Sequence, residues 1–238
     1  MDPHIARILI AAGFPPKVMV LDYETFFDAD YSLKKMTAPQ YIADERFELL
    51  GTAWKLGDAP TTFTPTGPMV PGNVTLVGHN LGFDAMLMAM RYGVRPNYMI
   101  DTLSLARYVL PKHKVGLADV AKKLGLPAKG DTKQFKGLRF DELWADPDKL
   151  AAMRGYACGD ADLTHQVFHL LLPEIDNPAI ELRLIHHTTT LATTPVLRWD
   201  RGGAADLRGR MLAEQDAVLD QVSWVHETHA AVQHSQPA

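Results

Sequence analysis

Four acidic residues and one tyrosine fall in three short segments, and their types suggest metal-dependent chemistry. The segments are Asp22-Tyr23-Glu24, Asn80-Leu81-Gly82-Phe83-Asp84 and Tyr156-Ala157-Cys158-Gly159-Asp160. Carboxylate oxygens are hard ligands that favour ions such as Mg²⁺ and Mn²⁺. A pair of such ions can stabilise the attacking and leaving oxygens of a phosphodiester that is being hydrolysed. If the segments converge in space, they predict phosphodiester hydrolysis.

The first segment places two carboxylates on one face of a strand. Because side chains alternate along a strand, Asp22 and Glu24 project to the same face while Tyr23 points away. Two like charges so close oppose each other's ionisation unless cations or protons neutralise them. Two acids at a solvated strand end would explain this pair equally well if it stood alone.

The other two segments have helical spacing. Tyr156 and Asp160 are four residues apart, on one helical face that continues as a largely apolar stripe. An acid buried in such a stripe without a partner is costly, and a metal ion would remove that cost. For Asp84, the simpler interpretation is a helix capped by Asn80, with the acid favoured by the helix dipole.

Taken in order, the motifs resemble the DEDDy class of 3′–5′ exonucleases, in particular the proofreading domain of family A DNA polymerases of bacteriophage type. The resemblance covers about residues 17–200 and includes Asp101-Thr102-Leu103 and the segment from Leu182 to Asp200. The related DEDDh class has a histidine near the last aspartate, where this chain has Gly155. The tyrosine class is therefore the better match.

The resemblance implies a role for each motif residue. Two metal ions would lie about 3.5–4 Å apart, with Asp22 bridging them and Glu24 and Asp160 completing the site that activates water. Asp84 would hold the second ion, largely through its water shell. Tyr156 would orient the attacking water, because a phenol with an ordinary pKa of about 10 is a poor general base at neutral pH.

These motifs need a sheet and helices that bring distant segments together. Apolar runs predict strands at 18–21, 47–56, 61–64, 75–78 and 99–101, the first three as an antiparallel meander. Helical periodicity predicts helices after Asn80 and over 102–109, 117–124 and about 147–172. We therefore expect an α/β fold of ribonuclease-H-like type, with a mixed five-stranded sheet flanked by helices and a C-terminal helical extension.

The expected domains are an N-terminal segment, 1–16, a 3′–5′ exonuclease domain, 17–176, and a helical C-terminal extension or connector, 177–238. The last part has helical patterns at about 179–193 and 204–231. In polymerases of the type resembled, a similar stretch leads into the polymerase domain. The chain is thus expected to be either a stand-alone exonuclease or the N-terminal portion of a longer protein.

Composition is typical of a globular intracellular protein. The chain has 238 residues, 47% of them apolar, which is enough to bury a substantial core. Its single cysteine, Cys158, excludes an internal disulfide and a cysteine-based zinc site. The apolar run from Ile5 to Phe14 is too short to span a bilayer. We expect a soluble cytoplasmic protein, in the host cytoplasm if of bacteriophage origin, with no membrane partner.

The net charge of −4 conceals an uneven distribution. From Lys112 to Arg139 there are eight Lys or Arg and two Asp, a net +6, while the remainder has 16 basic and 26 acidic residues, a net −10. A basic rim beside an acidic pocket would suit the phosphates of a nucleic acid. A solvated helix and loop explain such a run equally well.

A second group of residues is assigned to substrate contact. An aromatic residue just after the first motif, Phe26 or Phe27, is expected to stack on terminal bases, although core packing is as good an interpretation for one of them. The assigned residues are Thr25, Phe26, Phe27, Asn80, Lys112 and Lys136.

The leading hypothesis is a 3′–5′ exonuclease with two Mg²⁺ or Mn²⁺ ions per site. It would act on single-stranded or frayed DNA 3′ ends in proofreading or replication, with a polymerase domain or a separate polymerase as partner. An RNA 3′-end trimming enzyme resembling ribonuclease D would use the same carboxylates and stays open. So does a nucleic-acid-binding or polymerase-binding module without turnover, which is expected to have lost a carboxylate. The 3′–5′ polarity of digestion is inferred from the resemblance, because carboxylate spacing alone also permits an endonuclease.

Overall fold

The fold is described by a computed structural model, which covers residues 2–67, 69–195 and 200–222. The strands are β1 Val18–Thr25, β2 Leu49–Leu56, β3 Thr62–Thr64, β4 Thr75–Gly78 and β5 Met99–Asp101. The helices are α1 Pro3–Ala11, α2 Ala38–Ala43, α3 Gly82–Tyr92, α4 Thr102–Val109, α5 Leu117–Lys123, α6 Phe140–Ala145, α7 Pro147–Leu171, α8 Pro178–Thr193 and α9 Arg201–Leu219.

The strands form one mixed sheet in the order β3-β2-β1-β4-β5. Neighbours in the β1, β2 and β3 meander are antiparallel, whereas β4 is parallel to both β1 and β5. All four residues of β4 are buried, as expected for a central strand with helices on its faces. The predicted ribonuclease-H-like α/β class and the antiparallel meander are confirmed.

The longest helix of residues 2–195, α7, has 25 residues and packs across β1, β2 and β4. Its start is fixed by Pro147 at the first turn and by Asp146, whose side chain accepts hydrogen bonds from the backbone N–H groups of Asp148 and Lys149. Because side chains repeat every 3.6 residues, the buried residues of α7 fall on the face that meets the sheet. Asp160 lies on that buried face.

Two differences from the sequence prediction affect the site and the N-terminus. The strand β1 continues to Thr25, so the Asp22 and Glu24 pair lies within the strand instead of after it. The apolar run that begins at Ile5 is the helix α1, which the sequence analysis did not predict; Asp2 caps it and Pro3 opens it. Among the residues described, no helix is long and apolar enough to cross a bilayer.

Contacts divide the chain into two units, Met1–Pro195 and Val196–Ala238. Helix α8 belongs to the first unit, where it packs against α3 and β5. Helix α9 belongs to the second, and none of its side chains over 201–219 is buried. The part of the predicted 204–231 helix after residue 222 lies outside the described residues. The expected domain bounds at 16 and 176 stay a prediction.

Candidate active site

Strand β1 and helix α7 bring three of the four predicted carboxylates together. One ligand oxygen each from Asp22, Glu24 and Asp160 lies within 4.8 Å of the other two. Asp160 is buried, whereas the two strand residues are partly exposed. Residues separated by more than a hundred positions in sequence thus share one small volume that opens to solvent on the strand side.

Asp84, the fourth predicted carboxylate, lies in the first turn of α3 and outside this triangle. It is buried, and its Oδ1 accepts a hydrogen bond from the backbone N–H of Tyr23 at 3.1 Å. Tyr23 stands between the two acids of β1, so this bond ties the start of α3 to the strand that carries them. Burial, and then the charge of Asp22, raise the pKa of Asp84 above its ordinary value.

The turn before α3 is held by Asp101, at the end of β5. Its Oδ1 accepts hydrogen bonds from the backbone N–H groups of Asn80 at 2.8 Å and Leu81 at 3.2 Å. The same carboxylate caps α4 by accepting from the N–H of Leu103 and the hydroxyl of Ser104. Asp101 therefore fixes where α3 begins and so where Asp84 lies. An aspartate directly before a helix is a capping signature, so the sequence held a signal for this role.

The predicted capping of α3 by Asn80 is wrong. The helix begins at Gly82 with Leu81 as its N-cap, and no side chain caps it. Asn80 has a φ of +64°, in the left-handed region that asparagine tolerates better than most residues. The chain turns sharply at Asn80, and the carboxylate of Asp101 accepts hydrogen bonds from the N–H groups of Asn80 and Leu81 in this turn.

Replacing Asp101 with alanine is expected to lower the free energy of unfolding by about 3 kcal/mol, because the buried N–H group of Leu81 and the N–H group of Asn80 lose their acceptor and α4 loses its cap. Ser104→Ala removes only one of these hydrogen bonds and is the matched control, with an expected loss of about 1 kcal/mol. Urea denaturation of both variants measures the difference. Equal losses in the two variants would contradict the role given to Asp101.

The carboxylate cluster carries more negative charge than its surroundings balance. Burial raises the pKa of Asp22 to about 7, and the charge of Asp160 adds to this effect. The pKa of Glu24 is raised by burial, then by Asp22 and Asp160. A close set of oxygen donors with unbalanced charge fits a hard divalent cation. The residues present therefore suit the Mg²⁺ or Mn²⁺ expected from the sequence.

In chelator, the contribution of Asp22 to the stability of the protein is expected to fall as the pH rises from about 4 to about 7. The ordinary pKa of an aspartate is 3.8 and that of folded Asp22 is about 7, so between these values the folded state binds more protons than the unfolded state. The contribution of Asp22 must fall with pH over that interval, whereas His165, whose pKa burial lowers to about 4, contributes in the opposite direction. Thermal melting of the wild type and Asp22→Asn in EDTA at several pH values isolates the contribution of Asp22, and the stability of the wild type relative to the variant should fall as the pH rises. An identical slope in the variant would contradict the assignment.

Tyr156 lies beside the cluster and forms a hydrogen bond with a lysine. The Nζ of Lys129 donates to the Tyr156 hydroxyl at 2.9 Å and also contacts the Asp160 carboxylate. Burial, then the charges of Glu24 and Asp160, raise the pKa of Tyr156 well above its ordinary value. The phenol therefore stays neutral and orients groups by hydrogen bonding. From the sequence, Lys129 is predicted only as one of the basic residues of the rim, because nothing in its loop indicates contact with an acid.

A groove of about 830 Å³ reaches the carboxylate cluster at Glu24. Aromatic and basic side chains on its walls suit a single-stranded nucleic acid, because bases stack on aromatic rings and phosphates bind lysine. The residues on its walls include Glu24, Thr25, Phe27, Phe83, Lys133 and Lys136.

Three residues assigned to substrate contact line this groove, namely Thr25, Phe27 and Lys136. Thr25 is also held by the hydroxyl of a tyrosine in α2, 2.8 Å from its Oγ1. Lys112 and Asn80 are exposed but are not among the residues that line the groove. Lys112 follows α4, and its contact with the substrate stays a prediction.

Of Phe26 and Phe27, the two candidates for stacking on a terminal base, Phe26 takes the core position that was left open for one of them. Its side chain is 2% exposed, its ring lies 5.8 Å from that of Tyr31, and the guanidinium of Arg139 lies 3.6 Å from its ring centre. The register of β1 against β2 shifts between Glu24 and Thr25. Simple alternation along the strand therefore does not say which way the next residue points.

Comparisons with known proteins agree with this geometry. A family model of the DNA polymerase A type, described as 3′–5′ exonuclease, matches residues 54–176, which include Asp84, Tyr156 and Asp160. No curated protein matches the chain significantly.

Similar solved structures include NrnC of Brucella melitensis with bound Mg²⁺, with a TM-score of 0.51 and 14% identity over 76% of this chain and 90% of that one. RNase D of Trypanosoma brucei has a TM-score of 0.54 and 16% identity over 82% of this chain and 73% of its own. RNase D of Escherichia coli, an exoribonuclease involved in structured RNA processing, has a TM-score of 0.50 and 17% identity over 82% of this chain and 50% of its own. At such identities the likeness concerns the fold alone.

Proposed function

Because the chain belongs to the 3′–5′ exonuclease family whose model it matches, we propose that it hydrolyses the terminal phosphodiester of DNA 3′ ends and releases nucleoside 5′-monophosphates. The observation that carries this proposal is the meeting of Asp22, Glu24 and Asp160 within 4.8 Å, with Glu24 also lining a groove of about 830 Å³. All four carboxylates of the motif set are present, which argues against a module that binds without turnover.

Each site residue has a task in this proposal. Asp22, Glu24 and Asp160 would hold divalent ions, which when bound supply positive charge to the attacking and leaving oxygens. Asp84 adds negative charge from the side of α3. The neutral hydroxyl of Tyr156 orients the attacking water by hydrogen bonding, since its raised pKa rules out a role as base.

DNA is proposed as the substrate because the motifs resemble the proofreading domain of family A polymerases, and a polymerase is then the expected partner. The groove beside the carboxylates is lined by Phe27, Lys133 and Lys136, which suits single-stranded or frayed 3′ ends. RNA is the alternative substrate. The likeness to the RNase D structures concerns the fold alone, so it does not indicate whether the substrate of this chain is DNA or RNA.

The test is a time course on single strands of one sequence, made as DNA and as RNA and labelled at the 5′ end, with Mg²⁺, Mn²⁺ or chelator. A ladder that shortens one nucleotide at a time from the 3′ end, more rapidly on DNA and only with metal, is the expected result. A circular single strand is the control, because only an endonuclease can cut it. If RNA is trimmed faster than DNA, the proposed substrate is RNA instead of DNA. If the protein binds the strands without hydrolysing them, it is a binding module and not an enzyme.

Proofreading adds an expectation about paired ends. A duplex with a mismatched 3′ terminus should be trimmed faster than a matched duplex of the same length, because the frayed end costs less to unpair. Initial rates on the two duplexes measure the preference. Equal rates would contradict a role in proofreading while leaving the exonuclease itself in place.

A further inference from the structure

Lys129 places a positive charge inside the carboxylate cluster. Its Nζ contacts Oδ2 of Asp160 and donates to the hydroxyl of Tyr156. The lysine side chain is 25% exposed and that of its aspartate partner is 3% exposed, so the pair is largely removed from water. The charge of Lys129 also opposes the rise in pKa of Asp22 and Glu24. One ammonium group thus acts on all three carboxylates.

The loop that carries Lys129 touches Tyr156 at several points. A Cβ atom on Gly130 would lie 2.8 Å from Cδ2 of that ring, so the backbone passes directly over it. The ring of Phe135 also packs against the ring of Tyr156, with the two ring centroids 5.4 Å apart. The loop is bounded by Gly125 and Gly137, which have φ values of +69° and +81°. Both glycines hold backbone conformations that other residues rarely adopt.

A cavity of about 500 Å³ lies between part of this loop and α7. Pro127, Ala128 and Gly130 line it from the loop, whereas Gly155 and Gly159 line it from the helix. A Cβ atom built on either helix glycine would meet nothing within 4 Å. The loop therefore contacts α7 at Tyr156 and Asp160 and leaves an open cavity beside these contacts, which gives it room to move.

We propose that Lys129 is an internal cation that competes with divalent ions for Asp22, Glu24 and Asp160, and that its loop moves away from Asp160 when the ions bind. This proposal rests on the proposed function, because it takes the carboxylates as the metal site. An ammonium group and a divalent ion repel each other at the distance of a shared carboxylate. The oxygen that Lys129 contacts belongs to a predicted metal ligand, so the two cations exclude each other there. Metal binding and loop position are then coupled, each affecting the other by the same factor.

The first experiment measures Mn²⁺ affinity without nucleic acid, by electron paramagnetic resonance of free Mn²⁺. Lys129→Met keeps the length of the side chain and removes its charge, so it should bind Mn²⁺ roughly tenfold more tightly than the wild type. Lys129→Arg retains the charge and should bind much as the wild type does. Lys133→Met is the matched control, since that lysine is in the same loop with its side chain 89% exposed, and its affinity should not change.

The second experiment detects movement of the loop in the wild-type protein by cleavage with trypsin. Trypsin cleaves after lysine, so cutting after Lys129 reports withdrawal of its side chain from the cluster. Cutting after Lys114, an exposed lysine between α4 and α5 and outside this loop, is the internal reference for the activity of the protease. Saturating Mn²⁺ is expected to raise the ratio of the first cleavage to the second several-fold, about the size of the coupling. The same experiment on Asp22→Asn should show little change, because the ions then bind weakly.

The outcomes separate this proposal from the proposed function. Equal or weaker Mn²⁺ affinity in Lys129→Met, in a variant that melts cooperatively, overturns the competition and leaves the exonuclease assignment in place. A tryptic ratio that does not respond to bound Mn²⁺ overturns the movement of the loop. If neither the wild type nor Lys129→Met binds Mn²⁺, or if Asp22→Asn binds it as well as the wild type, the carboxylates are not the metal site and both proposals fail.

Discussion

Asp22→Asn is expected to reduce the rate of 3′-end trimming at least about a thousandfold. Asp22 shares one face of β1 with Glu24, and both have an oxygen within 4.8 Å of one from Asp160. Asparagine keeps the shape of the side chain but removes the charge that divalent ions need. Initial rates on a 5′-labelled single strand, with Mg²⁺ in excess, measure the loss.

In chelator and above about pH 7, where Asp22 is ionised, the same substitution is expected to raise the melting temperature of the protein. Asp22 is an acid whose raised pKa reflects burial and the charge of Asp160, so neutralising it relieves a cost of folding. A variant that is inactive and yet more stable cannot owe its inactivity to unfolding. This opposition between stability and activity is common where a site holds like charges together.

Asp30→Asn is the control for this prediction. Asp30 lies in the segment after β1, is 83% exposed, and pairs with the exposed Lys35 at 2.9 Å. Such pairs contribute little to stability, so both the rate and the melting temperature should stay close to those of the wild type. If Asp22→Asn kept a tenth or more of the wild-type rate in a preparation free of contaminating nuclease, the site assignment would be wrong.

The parts of the site that the sequence predicted are those set by local periodicity. Strand alternation placed Asp22 and Glu24 on one face, and four-residue spacing placed Tyr156 and Asp160 on one face of α7. These rules depend only on backbone geometry. The meeting of the two elements needed the further assumption of a ribonuclease-H-like sheet. The motifs supplied that assumption by resemblance to a known family.

The parts that the sequence did not predict depend on tertiary contacts or on local irregularity. Phe26 follows a register shift in β1, and alternation fails at such a point. Asn80 turns the chain at a positive φ, and the acceptor for that turn, Asp101, comes from a different strand. Lys129 reaches Asp160 from a loop, where no periodicity links the two residues. The helices α2 and α6, with six residues each, are too short for an apolar repeat to develop.

Tyr156→Phe is expected to lower kcat about 10- to 100-fold, less than the loss of a carboxylate, because only the orientation of water is affected. Phenylalanine keeps the ring contacts with Phe135 and Gly130 and loses only the hydroxyl that Lys129 contacts. Affinity for Mn²⁺ should not weaken, since the phenol is not a ligand in this assignment. Tyr108→Phe is the control, because that tyrosine is exposed and bonds to Asp176 through its hydroxyl.

The pH–rate profile distinguishes orientation of water by Tyr156 from general base catalysis. Burial holds its pKa far above neutrality, so its hydroxyl keeps its proton throughout the working range. Tyr156→Phe should therefore scale the whole profile down without changing its shape. Loss of a titrating limb in the variant, or a fall in kcat as large as that of Asp22→Asn, would mean that the tyrosine transfers a proton, and the role given to it here would have to be abandoned.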